Sequence, residues 1–436
     1  MKMNKTLLST AVAVGLLSTS TVTQAAGFQL AEYSATGLGR AYAGEAAMAD
    51  GADAQWRNPA MLTYLEGTQV SVGGTYVDPN IDIDGTSTTL RGTTTSNSSD
   101  FAHSAVIPNF YVSHKYNDKF ALGFAAGTNY GMETDLGKDF GGANHGNEAS
   151  VTTMELNLNA AYQVLESVSI GGGIRYIMAE GSFGAVSAIT IPTMVNQGDA
   201  LKYMEGDDTA WGWQVGTAWQ INENNRLGFT YKSEVDLTLE GHANGVAFDA
   251  VAGALGSPVK SKYNGSMELA LPATAELASF HQLTEKVAVH ASVNWTNWSS
   301  FKELVADIPE FGPARTQDIK EENWEDNYRF AIGTTYQMTP KLALRSGIAY
   351  DTSAVSDEHR TATIPETDRT WLSIGAGYQW SEQLTLDAGF TYILAKDAKM
   401  HETDPGFGGA DMFGGSFEGE VTGSIWLVGV QANYRF

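Results

Sequence analysis

The sequence predicts an all-β fold: a 14-stranded antiparallel transmembrane β-barrel with a small N-terminal helical hatch inside its lumen. Three features support this prediction: long segments of alternating apolar and polar residues, short turns that alternate with long loops, and a non-alternating stretch ahead of them. Alternation gives a strand one apolar and one polar face, as a wall between lipid and an aqueous interior requires.

The first 25 residues (1–25) have the pattern of a cleavable signal peptide. Lys2 and Lys5 precede an apolar run from Leu7 to Leu17, and Ala25 supplies the small residue before the cleavage point. The run is too short to span a bilayer as a helix. We therefore expect export and, with the alternating segments, a multi-pass location in a Gram-negative outer membrane, among its lipids and lipopolysaccharide.

Residues 26–66 do not alternate, and short helices are expected over 34–44, 45–53 and 58–62. Asn58 before Pro59 favours a helix start, because asparagine caps well and proline loses no needed donor at the first helical position. A barrel of this size would otherwise enclose an open channel. We expect this segment to fold inside the lumen, where it either fills the pore or acts as a movable gate.

Residues 67–436 contain the predicted wall strands. The alternating runs in this region last about ten residues or more, whereas strands of globular proteins usually have about five or six. Tight turns at positions such as 117–118 and 381–382 alternate with expected long loops near 84–100, 134–149, 181–208, 240–262, 300–323, 351–366 and 397–417. Short turns opposite long loops are typical of outer-membrane barrels. The alternative is a large periplasmic β-sandwich.

Composition argues against several classes of function. The net charge of −24 disfavours nucleic acid, which binds basic surfaces. The eight histidines show no metal-ligand spacing, and no nucleophile, histidine and acid stand out together. We therefore expect no metal, no cofactor and no enzymatic activity.

An ordered series of short motifs resembles the outer-membrane long-chain fatty acid transporters (the FadL-type family) along essentially the whole chain after the signal peptide. The motifs are Ala26-Gly27-Phe28-Gln29-Leu30, Gly37-Leu38-Gly39-Arg40-Ala41-Tyr42-Ala43-Gly44-Glu45, Arg57-Asn58-Pro59-Ala60, Tyr76-Val77-Asp78-Pro79, Asn129-Tyr130-Gly131, Leu227-Gly228-Phe229-Thr230-Tyr231-Lys232-Ser233-Glu234-Val235 and Ile364-Pro365-Glu366-Thr367-Asp368-Arg369.

The resemblance implies that hydrophobic substrates diffuse in from outside and leave sideways through a gap where the third strand kinks. The residues expected at the hatch and this lateral opening are Phe28, Asn58, Pro59, Ala60, Asn129, Tyr130 and Gly131. A glycine and a broken alternation after Phe124 make a wall defect plausible. The alternative is an ordinary β-bulge.

The resemblance also implies an apolar capture groove among the outer loops. Two loops supply apolar residues for it: Ile189, Ile191, Met194 and Val195 in the first, and Val246, Phe248, Val251 and Leu255 in the second. The alternative is that each loop packs upon itself.

A carboxylate head group requires a cation, and the resemblance assigns one to Lys320. The arginine that the family pattern places with it is replaced near Phe183-Gly184. By alternation Arg175, Arg329 and Arg345 point into the lumen, and Arg329 and Arg345 are predicted to help bind the head group. The alternative is that these arginines form ion pairs with lumen carboxylates such as Glu155 or Asp387.

The sequence therefore favours passive uptake of long-chain fatty acids. Alternatives are uptake of other hydrophobic compounds such as aromatic hydrocarbons, a general porin, or an adhesin or phage receptor acting through the long loops. Trp295 and Trp298 are expected in the aromatic girdle at the membrane interface, with a ligand site as the alternative.

Overall fold

The computed structural model describes residues 27–89, 91–403 and 415–436, so the predicted signal peptide lies outside the described residues. Within these ranges, no helix combines the length and hydropathy needed to cross a bilayer.

The described β segments form a single antiparallel sheet that closes into a barrel where the last segment pairs with the first. The 21 segments make up 14 wall strands, which confirms the predicted architecture. They are β1 (Thr68–Thr89), β2 (Gly92–Ser99), β3 (Ala105–Lys115), β4 (Phe120–Gly127), β5 (Gly131–Asp135), β6 (Glu148–Leu165), β7 (Val168–Val186), β8 (Ala200–Asn222), β9 (Asn225–Lys232), β10 (Val235–Asn244), β11 (Tyr263–Leu271), β12 (Thr274–Gln282), β13 (Val287–Thr296), β14 (Glu303–Asp307), β15 (Thr316–Glu321), β16 (Asn327–Thr339), β17 (Leu342–Asp351), β18 (Arg369–Gln379), β19 (Leu384–Ala395), β20 (Ala398–Thr403) and β21 (Ser416–Arg435).

Seven wall strands are interrupted and consist of two segments each. Wall strands 2, 3, 7, 8, 9, 10 and 13 are formed by β2–β3, β4–β5, β9–β10, β11–β12, β13–β14, β15–β16 and β19–β20. The outer face carries exposed apolar side chains such as Leu158, Ile174 and Val430, whereas Asn157 and Gln431 point inward and are buried. The alternation therefore separates a lipid face from a polar lumen face, as expected.

Several expected loops are partly strand. β1 and β2 pair up to Thr89 and Gly92, β7 and β8 pair up to Val186 and Ala200, and β14 pairs with β15 inside the expected loop 300–323. The prediction of long loops there was wrong because strands beyond the apolar band have no apolar outer face. The outer end of the hairpin of β1 and β2 is polar on both faces, whereas Phe183 of β7 and Leu304 of β14 are apolar on the inner face. Such a strand lacks the lipid-facing pattern that identifies it, although its backbone ladder continues.

The hatch contains four short helical turns rather than longer helices. They are the α-helices α1 (Ala35–Leu38) and α2 (Ala54–Arg57) and the 3-10 helices Glu45–Ala47 and Pro59–Tyr64. Helix formation over 34–44 is interrupted because Ala41 and Tyr42 adopt left-handed φ values of 53° and 52°. The Asn58 side chain accepts a hydrogen bond from the Ala60 amide and caps the last helix, as predicted.

The part of the hatch from 34 to 64, here called the hatch body, lies directly against the wall. A Cβ atom added to Gly228 would stand 1.9 Å from the Ala46 carbonyl oxygen, and one added to Gly347 would stand 2.1 Å from that of Arg40. Gly171 contacts Ala60 in the same way, and Gly216 contacts the Asn58 side chain. Inward glycines therefore let the hatch backbone approach the barrel closely.

Candidate site at the break in wall strand 3

Wall strand 3 is interrupted at residues 128–130, here called the strand-3 break. Below it, the ladder between β3 and β4 ends at the pair Phe110 and Ala126, whereas the continuous ladder of β5 is with β6. Nearer the outer loops, wall strands 2 and 3 meet again at a single bridge between Ala102 and Thr134. The ladder between these strands is thus open beside residues 105–109, where Val106 is 52% exposed on the outer, apolar face.

The N-terminal residues 27–31, here called the hatch tip, cover this break from inside the lumen. Gln29 forms an antiparallel bridge with Tyr130. The Leu30 amide donates to the Asn129 carbonyl at 2.7 Å, and the Gly131 amide donates to the Phe28 carbonyl at 2.7 Å. The structure therefore brings together Phe28, Asn129, Tyr130 and Gly131, four of the residues predicted at the lateral opening.

The other predicted hatch residues lie away from the break. Asn58 donates to the carbonyls of Ala46 and Thr217 at 2.6 and 3.0 Å, and Pro59 and Ala60 pack near Gly171 of β7. All three are buried in the hatch body. These contacts tie Asn58, Pro59 and Ala60 to wall strands 5 and 6, and the structure does not place them at the break.

Phe28 inserts into a group of aromatic rings. Its ring centroid lies 4.7 Å from that of Trp298, 5.7 Å from Phe301 and 6.1 Å from Tyr130. The prediction that Trp298 belongs to the interfacial girdle was wrong, because a 3-10 turn at Trp298–Ser300 leaves the strand period and buries the side chain completely. The sequence pattern carried no signal for this inward position.

These rings belong to a larger group of buried apolar side chains, here called the apolar cluster. It extends from the break to the outer loops and includes Phe28, Tyr130, Met132, Ile177, Phe183, Val235, Leu237, Phe248, Trp298, Phe301, Phe311 and Trp324. Its members come from wall strands 3 to 10 and from the loops above them. One continuous apolar region therefore connects the extracellular loops with the hatch tip.

The two halves of the predicted capture groove differ in the structure. Helix α3 (Val246–Ala254) places Phe248 in the apolar cluster with Val251 packed against it, while Val246 is partly buried and Leu255 exposed. In the first loop, the Ile191 and Val195 backbones bond to each other, Ile189 is half-buried and Met194 is exposed. None of these four residues belongs to the cluster. The first loop folds upon itself, because hydrogen bonds between its own backbone groups close its turn.

Lys320 lies at the outer part of the apolar cluster and is largely buried. Its ammonium nitrogen is 3.0 Å from Glu402 Oε2 and 3.4 Å from the His145 carbonyl oxygen. It also lies 5.7 Å from the ring centroid of Phe183. Phe183 thus lies near the position where the family pattern has an arginine, and it presents an aromatic ring to Lys320. A role for Lys320 in head-group binding stays a prediction.

The inward arginines form the ion pairs that were the alternative to head-group binding. Arg175 bonds both oxygens of Glu155 at 2.8 Å. Arg345 lies 2.6 Å from Asp387. Arg329 lies 2.9 Å from Asp351 and also donates to the Ala41 carbonyl of the hatch at 3.0 Å. Each of these arginine charges is thus matched by a lumen carboxylate.

The hatch body is fixed by its own buried charges. Arg40, which is 1% exposed, reaches Glu45 at 2.8 Å and Asp50 at 2.6 Å. Burial alone would raise the pKa of Asp50, but the Arg40 guanidinium outweighs this effect and lowers it below the ordinary value. Glu45 also accepts a hydrogen bond from the Tyr33 hydroxyl at 2.7 Å. Charged and hydrogen-bonded contacts thus hold the body as one unit.

Among the described residues, no group of three histidine or acidic side chains is arranged to hold a metal ion. The architecture defines the class of protein: a membrane barrel with a filled lumen, an apolar region beneath its outer loops and an open ladder in its wall.

The chain matches, over residues 16–436, the family model described as outer membrane protein transport protein (OMPP1/FadL/TodX), and it belongs to this family. It is 34% identical over 449 residues to the long-chain fatty acid transport protein of Escherichia coli O6:H1, covering 98% of this chain and 97% of that protein. It is 35% identical over 438 residues to outer membrane protein P1 of Haemophilus influenzae, covering 92% of each. The chain is an outer-membrane protein.

Solved structures support the same fold. A Pseudomonas aeruginosa FadL homologue superposes with a TM-score of 0.82 at 22% identity, over 94% of this chain and 99% of that one. The Pseudomonas putida toluene transporter TodX gives a TM-score of 0.66 at 16% identity, over 94% and 100% of the two chains. At these identities the similarity concerns the architecture alone.

Proposed function

We propose that this protein carries long-chain fatty acids passively across the outer membrane and releases them sideways through the strand-3 break. The observation that carries the proposal is the open ladder between wall strands 2 and 3 in the apolar band, with the hatch tip behind it and the apolar cluster beside it. The sequence relationship to the E. coli transport protein supports the choice of fatty acids.

Lateral release has a physical reason. Each buried CH₂ of an acyl chain favours hydrocarbon over water by about 0.8 kcal/mol, so a chain of many carbons strongly disfavours a water-filled pore. A route from the apolar cluster through the wall keeps the tail in apolar surroundings. In this role the protein performs no chemistry, and we propose that it is not an enzyme.

The two predicted roles of the hatch belong to two of its parts. The hatch body fills the pore, because glycine contacts and buried ion pairs fix it to the wall. The hatch tip is the gate, because few backbone contacts hold it to the strand-3 break. A small cavity, lined in part by Gln29, Leu30 and Ala31, adjoins the tip.

At the outer side, α3 and its neighbours form the capture surface and Lys320 receives the carboxylate. Because Lys320 is paired with Glu402, an arriving carboxylate must share or displace this partner. Lys320→Ala should weaken oleate binding and spare oleyl alcohol, whereas Glu402→Gln should strengthen oleate binding. Equal effects of Lys320→Ala on both ligands would contradict the role of Lys320. In this proposal Arg329 and Arg345 stabilise the wall through their ion pairs, and Arg329 also binds the hatch.

Uptake of aromatic hydrocarbons is the second candidate. It is favoured by the lumen arginines, whose charges are matched by carboxylates and leave few cations for an acidic ligand. Purified protein in liposomes should be tested with oleate, toluene and small ions. The fatty acid proposal expects oleate uptake with little ion conductance. Toluene uptake without oleate uptake supports the second candidate, and steady ion conductance supports a porin. A phage-receptor role stays a prediction that loop deletion tests.

A further inference from the structure

One buried lysine beside the strand-3 break has no acidic partner in the part of the chain that the structure describes. Lys232 is the last residue of β9, at the point where wall strand 7 is itself interrupted, and it is 4% exposed. Its ammonium nitrogen lies 3.3 Å from Asn129 Oδ1 and 4.6 Å from the ring centroid of Trp56. Among the described residues, no carboxylate oxygen lies within 4.0 Å of it.

The carboxylate in the same polar group, Glu155, is already occupied. Arg175 donates to both of its oxygens at 2.8 Å, and the Asn129 side-chain amide donates to Oε2 at 2.6 Å. Arg175 is further fixed by the Ser233 carbonyl at 2.9 Å. Two basic side chains thus share one acidic side chain, whose hydrogen bonds come from Arg175 and Asn129. Lys232 is the surplus base of this group.

The surroundings of Lys232 suit one end of an amphipathic molecule. Ile177 and Val235, which lie two and three residues beyond Arg175 and Lys232, belong to the apolar cluster. On the other side stands Trp56 of the hatch body. Asn129 connects the site to the gate, because its carbonyl accepts the amide of Leu30 in the hatch tip. Departure of the tip would uncover the neighbourhood of Asn129 and Lys232.

We propose that Lys232 binds the carboxylate head of the substrate at the inner end of the apolar cluster, while the acyl tail passes through the strand-3 break. A buried ammonium without a counter-charge is unfavourable, so an arriving carboxylate gives Lys232 the acidic partner that none of the described residues supplies. The carboxylate takes the place of the neutral Asn129 oxygen as the acceptor. This inference rests on the proposed function and adds selection of acids over neutral lipids at the exit.

The test compares oleate with oleyl alcohol, which differs from it in the head group alone. Uptake of both is measured in liposomes containing the full-length wild type, Lys232→Met or Lys232→Arg, after heat-dependent gel mobility confirms a folded barrel. Lys232→Gln replaces Lys232→Met if the latter does not fold. Lys232→Met should lower oleate uptake roughly tenfold, as expected for losing a charge-assisted hydrogen bond. Oleyl alcohol uptake should not change, and Lys232→Arg should retain oleate uptake.

Two results overturn the inference while leaving the proposed function intact. One is unchanged oleate uptake by Lys232→Met, and the other is an equal loss for both ligands, which marks a structural role. A wild type that carries oleyl alcohol but no oleate overturns the choice of acids as substrates. A wild type that carries neither overturns the proposed function and this inference together.

Discussion

The hatch tip and the hatch body are neighbours in sequence but are held to the barrel in different ways. The tip pairs with the edge of wall strand 3 through one bridge, which is formed by two backbone hydrogen bonds. The body rests on wall glycines and contains the buried Arg40 and Glu45 pair, with Asp50 as a further partner of Arg40. Edge pairing can be released one hydrogen bond at a time, whereas separating the body exposes several charges. A single segment can therefore fill the pore and gate the wall.

The largest effect is expected from Arg40→Met. This change leaves the buried Glu45, and the more exposed Asp50 beside it, without their cation, and an unpaired buried charge typically costs about 3–5 kcal/mol. The body should loosen, so ion conductance should rise and the unfolding transition in denaturant should shift to lower concentration. Arg91→Met, in an exposed outer loop, is the matched control. Unchanged conductance in Arg40→Met would contradict the account of the body.

A smaller effect on the body is expected from Gly228→Ala. The added methyl would meet the Ala46 carbonyl oxygen at 1.9 Å, and overpacking of this kind costs about 1–3 kcal/mol. Stability should fall and ion leak should rise. Gly74→Ala is the control, since its new Cβ would have no neighbour closer than 3.6 Å. Equal stability of the two variants would show that the close contact does not seat the hatch.

A pH effect should appear where the tip meets the body. Burial raises the pKa of Glu32 from 4.5 to about 7. The docked hatch binds this proton more tightly than the undocked hatch does. The stability that this binding adds to docking is therefore fully present below about pH 4.5 and is lost as pH rises through about 7. Uptake of oleyl alcohol, which does not titrate, should therefore be faster at pH 8 than at pH 5. Glu32→Gln should reduce this difference, and an unchanged pH profile would exclude Glu32.

The smallest effect is expected from Gln29→Ala in the tip. It removes the hydrogen bond that Thr296 donates to Gln29 at 2.9 Å, worth about 1 kcal/mol. Oleate uptake should rise a few-fold, while ion conductance and barrel unfolding stay as in the wild type. A rise in conductance would mean that the tip and the body move together, which would remove the distinction between them.

The wall could be predicted from sequence because lipid imposes a period of two on every strand that crosses it. Wall strand 3 is interrupted between Gly127 and Gly131, next to the kink that a glycine and lost alternation predicted at Asn129-Tyr130-Gly131. The prediction for Trp298 was wrong because side chains in a 3-10 turn do not follow the inward and outward alternation of a strand. The pairing of Arg175 with Glu155 depends on distances across the lumen, and so does the lack of an acidic partner for Lys232 among the described residues. Such distances follow from strand register, which alternation alone does not specify.

Transport should require the hatch tip to leave wall strand 3, and a reversible cross-link tests this most directly. Gln29 and Tyr130 face each other as a non-hydrogen-bonded pair, whose short Cα separation suits a disulfide, and the natural chain has no cysteine. In Gln29→Cys/Tyr130→Cys, the oxidised protein should lose oleate uptake and a reductant should restore it. Equal uptake by the oxidised and reduced forms would contradict the gate.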